Sequence, residues 1–265
     1  MATQFAAGQL PGSDKRSLTP ARGRFYLRVS LACGAIAILG FLPTYWLQLA
    51  PRTFAGPALL HIHAALCTAW VLFLISQTWL VSNNRLSSHK EWGIAGVSLA
   101  TAVFIVGLAT AISGLEANLA RGLGDAARSF FITPLSAILR FGIFTGAAIA
   151  LVRKPEWHKR LMIVGTVSLI EAAAARFAFM MAVGRAPGLR PGTAPLPPVM
   201  MPVVVACLLQ LFIVAGMIHD KRVRGSVHPA WIVGLIGSVA MIALKIPLST
   251  SEAWLSFASW ATTIA

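Results

Sequence analysis

Three ionisable residues stand inside runs apolar enough to cross a bilayer. Glu171 and Arg176 interrupt the run from Arg160 to Val183, and Arg140 interrupts the run before it. A charged side chain at bilayer depth costs several kcal/mol unless it is paired or wetted. The chemistry open to such residues is binding of an anionic or carbonyl group, proton transfer, or a buried ion pair that fixes helix register. With spans read over 130–152 and 161–184, Arg140 lies about eleven residues in from one end and Glu171 about eleven in from the other. Antiparallel neighbours then carry both to mid-bilayer, and Arg140 is the expected partner of Glu171. Arg176 is five residues beyond Glu171, about 140° round the helix. It is expected to meet a different partner, an anionic ligand or backbone carbonyls. Lys245, near the end of the last apolar run, is expected to snorkel as an anchor.

The histidines form a second set. His63, Trp70 and Gln77 are spaced by seven and share one helix face, while His61 points elsewhere. Imidazole at that position suits a hydrogen-bond donor, a proton carrier or a haem or metal ligand. His89, His158, His219 and His228 all fall at span ends on the side of the basic loops. Four imidazoles on one side are enough for a metal site, and they equally suit scattered positions at headgroup level. Asp220 follows His219 and is placed to orient an imidazole. No metal site is assigned: Cys33, Cys67 and Cys207 lie inside spans without ligand spacing and read as small apolar residues. Walker A, dinucleotide, Gly-x-Ser-x-Gly, His-Glu-x-x-His and desaturase-type histidine-box motifs are absent. ATP-driven, classical hydrolase and desaturase chemistry are thereby disfavoured, and no catalytic residue is assigned.

The elements that position these groups follow from hydropathy. The 265 residues are 57% hydrophobic and only 11% charged, with mean hydropathy +0.76. Soluble domains carry about 25% charged residues. The pattern predicts an all-α, polytopic transmembrane bundle of seven spans at roughly 27–48, 58–82, 92–114, 130–152, 161–184, 198–219 and 229–249. The domain reading is a disordered basic tail over 1–25, a seven-helix domain over 26–250 and a short tail over 251–265 that suits an interfacial helix. The longest loops are expected at 115–129 and 185–197. The net charge of +14 does not point to nucleic acid. It concentrates in the N-terminal tail and every second loop, which by the positive-inside rule gives N-in, C-out in a bacterial inner membrane. The basic loops then face anionic lipid headgroups.

Two packing patterns accompany the spans. Gly93, Ala100, Gly107 and Gly114 repeat at seven and predict a small-residue contact face. His89 with Gly93, His158 with Gly165 and His228 with Gly234, each near a Trp, form a weak internal echo that suggests three hairpins.

Two segments carry a family resemblance: Leu60-His-Ile-His63 through Trp70 and Gln77 to Ser88-His-Lys-Glu-Trp-Gly93, and Pro155-Glu-Trp-His-Lys-Arg-Leu-Met162 running on to Arg176. Together they resemble a family of bacterial predicted membrane proteins of unknown function. Its members open one helix with His, the next with His-Arg-x-x-Gly and a later one with His-Arg-Arg-Trp-Met, followed by an Arg. The resemblance covers roughly residues 58–180, and it departs at Leu161, where the family tends to Trp. It implies roles for His63 or His61, His89, His158 and Arg176. A looser resemblance to b-type cytochromes implies a haem b with His89 and His158 as axial ligands and His61 as a further candidate.

These readings converge on an integral membrane protein that binds or transfers a small ligand, anionic in one version, in a polar pocket of His63, Gln77, Arg140, Glu171 and Arg176. The alternatives are a membrane electron-transfer protein holding haem b, and an assembly protein whose buried charges only set packing.

Overall fold

A computed structural model describes residues 20–50, 54, 56–183 and 196–263. Seven helices are long and apolar enough to cross a membrane: α1 (Arg24–Leu49), α2 (Ala58–Ser82), α3 (Leu86–Ala120), α4 (Gly124–Ala150), α5 (Pro155–Ala182), α6 (Met200–Arg224) and α7 (Pro229–Ser249). A short α8 (Glu252–Ala261) follows. No strand occurs among the described residues. The expected class and span number hold, because each span exceeds the roughly 20 residues that a helix needs to cross about 30 Å of hydrocarbon.

Boundaries differ in instructive ways. Helix begins at Pro20, so residues 20–25, expected as tail, are helical, with Pro at a position where its missing N–H costs little. The loop expected at 115–129 shrinks to 121–123, since α3 and α4 both extend past their apolar parts. Residues 115–120 are mostly strong helix formers, Leu, Glu and Ala. The chain reverses on Gly122 (φ 79°) and Gly124 (φ 49°), positions where an L side chain is strained. Most of the 185–197 connector lies outside the described residues, as does the tail over 1–19.

The helices α4 and α5 form the centre. Over an apolar stretch of 18 residues in each, 56% is buried, against 17% in α2, and they make the most extensive helix pair. Helices α1, α2 and α3 pack in succession, while α7 lies on both α4 and α5. The main core joins Trp70 and Val71 of α2, Phe141 of α4, Val164 of α5 and Trp231 of α7. Trp70 donates from Nε1 to Thr166 Oγ1 at 3.1 Å and meets the Phe141 ring edge-to-face at 5.1 Å. Large apolar side chains such as Ile94, Leu47 and Ile236 point outward, as lipid-facing residues do.

The small-residue face of α3 is corrected. Gly93 and Gly114 meet nothing within 4 Å, whereas Gly107 lies against Ile138 and Gly96 against Phe73. The buried stripe is Gly96, Ala100, Val103, Gly107, Ala111 and Leu115. A straight helix turns 3.6 residues at a time, so a strict seven-residue pattern drifts off one face by about 20° per repeat.

Three spans carry local irregularities. A π-helical turn (Leu42–Trp46) sits in α1, α5 is interrupted at Ile170, and α6 at Gln210. At the second break the Gln210 side chain donates to Ala206 O at 2.9 Å, a polar group inserted into the backbone ladder. The first break falls one residue before Glu171.

The segment over 251–263 is helical through α8. Ser251 caps it by accepting from Trp254 N at 3.3 Å. Trp254 Nε1 donates to Arg128 O at 2.8 Å and Arg128 Nε donates to Ser259 Oγ at 2.9 Å, tying α8 to the start of α4.

Candidate functional site

Three buried charged residues meet at one point. Arg140 on α4, Glu171 on α5 and Lys245 on α7 are 0%, 2% and 0% exposed. Arg140 Nη2 donates to Glu171 Oε2, and Lys245 Nζ donates to Glu171 Oε1. Each carboxylate oxygen thus receives one donor from a basic side chain. Arg140 Nε donates to Ser136 O at 3.3 Å, one turn back on its own helix. Its Nη1 is buried without a hydrogen-bond partner.

The charge count is the property that matters. Arginine stays protonated in proteins, so Arg140 and Glu171 cancel. Lys245 as an ammonium leaves the set with one surplus positive charge in a low-dielectric surrounding.

An open crevice of about 150 Å³ lies beside the set between α4, α7 and α8, walled mainly by Leu135, Ser136, Leu139, Met241, Leu244 and Trp254, with Lys245 also on its lining. Its wall is almost wholly apolar, so it suits an apolar group or a small dehydrated solute better than a hydrated ion.

Of the five residues expected in one pocket, the structure joins Arg140 and Glu171. His63 lies against Cys67 of its own helix, Nε2 to Sγ 3.7 Å. His61 is hydrogen-bonded to Tyr45 at 3.0 Å. Arg176 is exposed and stands over the Phe41 ring of α1 at 5.8 Å, on the far face from Glu171 as its angle predicts. Gln77 is buried at 7% exposure, with neither side-chain polar atom partnered. It is fourteen residues from His63, about 21 Å along the helix, so a shared face did not make a shared pocket.

Gln77 belongs instead with the histidine pair. The His89 ring faces the Gln77 backbone and meets the His158 ring at 6.3 Å and 72°. His158 Nδ1 donates to Ala148 O at 2.9 Å. The other two expected histidines go elsewhere. His219 stacks on Phe25 at 4.1 Å. Asp220 takes both Nε and Nη2 of Arg160, at 2.8 and 2.6 Å, and the His228 backbone N–H at 3.2 Å. Glu156 completes this second cluster by pairing with Lys159 at 2.7 Å, Arg160 at 2.7 Å and Arg224. His228 caps α7, its Nδ1 accepting from Ala230 N at 3.1 Å. Burial, reinforced by Arg160 and Arg224, holds its imidazole below the ordinary range. The histidines of the three-fold echo therefore hold unlike positions. Among the described residues no group of three His, Cys, Asp or Glu is placed to hold a metal.

Lys245 is the residue that sequence reasoning misplaced: expected to snorkel, it is fully buried on Glu171. A signal existed. Both α5 and α7 open on a proline, and Glu171 and Lys245 each lie sixteen residues beyond it. Two helices running the same way carry equal offsets to equal depth.

No family model, curated protein or solved structure matches this chain.

Proposed function

We propose that this integral membrane protein binds a small anion at the Arg140–Glu171–Lys245 set and transfers it through the bundle. The observation that carries the reading is the imbalance: two fully buried basic side chains share one carboxylate, and Arg140 Nη1 has no partner. Burying a charge without compensation is costly. An anion next to Arg140 and Lys245 removes that cost and supplies the missing acceptor. The neighbouring apolar crevice favours an anion with a short apolar group, such as a small monocarboxylate. The basic loops would face the cytoplasm of a bacterial inner membrane and its anionic headgroups, in keeping with the gathering of Arg85, Arg153, Lys154, Lys221 and Arg222 in alternate connections or beside them.

The test is thermal stabilisation of the detergent-purified protein by chloride, formate, acetate and butyrate at constant ionic strength. Ligand at 100 times its Kd adds about 2.7 kcal/mol. A stabilisation by one of these anions that disappears in Lys245→Met and Arg140→Met supports the reading. No shift with any of the four, or a shift that survives both substitutions, removes it.

The His89–His158 ring contact supports a second reading, a b-type haem held between α3 and α5. His158 donates Nδ1 to a backbone carbonyl, which leaves Nε2 as the ligating nitrogen. A folded, purified protein without a Soret band ends that reading.

A further inference from the structure

We infer that the Arg140–Glu171–Lys245 set takes up a proton together with its anion, so that the two bind as a neutral pair. This rests on the anion-binding reading above and adds the coupling to it.

The argument is one of charge parity. Arg140 is permanently charged and is matched by Glu171. The ionisable side chains that act most on Lys245 are Glu171, Arg140 and the Cys207 thiol of α6. Among the described residues no second carboxylate pairs with it, so a lysine ammonium has no counter-charge of its own. Lys245 is the member able to shed charge, because an amine can release its proton where a guanidinium cannot. With no anion bound, the neutral arrangement is guanidinium, carboxylate and free amine. The amine still donates a hydrogen to Glu171 Oε1, so the observed contact is kept.

When an anion arrives, the neutral arrangement changes. The amine nitrogen takes a proton from water, and the new ammonium pairs with the incoming anion while Glu171 remains with Arg140. One proton and one anion have been added, and the total charge is again zero. Either species alone leaves an unmatched charge in a site that is at most 2% exposed. The two bindings are therefore reciprocal: the proton raises anion affinity by the factor by which the anion raises proton affinity.

Acetate binding to the full-length protein in detergent micelles tests this, by calorimetry in buffers of different ionisation enthalpy between pH 6 and 9. The expected result is one proton taken up per acetate above the amine's midpoint, with acetate affinity falling tenfold per pH unit there and levelling below it. Lys245→Arg, which carries a permanent charge, is expected to bind acetate with no proton uptake and no pH dependence. Acetate bound by the unaltered protein without proton uptake overturns the coupling and leaves anion binding standing. Proton uptake that persists in Lys245→Arg places the proton on another group and also overturns it. Absence of binding by acetate, formate, butyrate and chloride alike overturns the anion-binding reading itself.

Discussion

Replacing Glu171 with Gln removes the one carboxylate between two buried basic side chains, one of them the permanently charged Arg140, and nearly preserves shape. Both Arg140 and Lys245 are fully buried, so neither gains solvent to replace the lost charge. Breaking a buried pair by removing one partner costs about 3–5 kcal/mol, because the remaining charge is left uncompensated. At about 2–4 °C per kcal/mol for a chain of this size, the melting temperature is expected to fall by about 6–20 °C. The companion is the triple variant Arg140→Met, Glu171→Leu, Lys245→Met, which removes every charge. Replacing a whole buried ionic set by apolar side chains is neutral or stabilising by about 1–4 kcal/mol, so this variant should melt at or above the parent while losing anion binding. Melting curves of the three proteins in one detergent, followed by circular dichroism, decide the matter. If Glu171→Gln melts with the parent, or the triple variant melts as low as Glu171→Gln, the charge argument is wrong.

Two further outcomes follow from other parts of the bundle. His228 is held below its ordinary range in the folded protein, so its contribution to stability is present above about pH 6.5 and lost as pH falls through the depressed value, where protonation also removes the Nδ1 acceptor that caps α7. Asn is an equally good cap that does not titrate; His228→Asn is expected to lose less melting temperature than the parent between pH 7 and 5, and equal losses would refute the assignment. On α3, Gly107→Leu must displace Ile138 and is expected to cost about 1–3 kcal/mol, whereas Gly114→Leu points into open space and should be near neutral. The difference in melting temperature between the two variants checks the corrected stripe.

The class and seven spans of this protein were legible from hydropathy alone, because a bilayer admits only segments that satisfy their own backbone and present apolar side chains. Helical angle and depth, both readable by counting, placed Glu171 on Arg140 and turned Arg176 away from them. Counting failed wherever the answer depended on which helices are neighbours. Gln77 and His63 share a face of α2, but that face runs past different helices at different depths, and Gln77 ends beside His89. Lys245 sits four residues from the end of α7, where an isolated helix would let its ammonium reach the headgroups. Only the packing of α7 against α4 and α5, with α8 tied to the start of α4, encloses it against Glu171. A sequence carries each helix's own period and length; the partner of a buried charge is set by side-chain surfaces fitting across helices far apart in the chain.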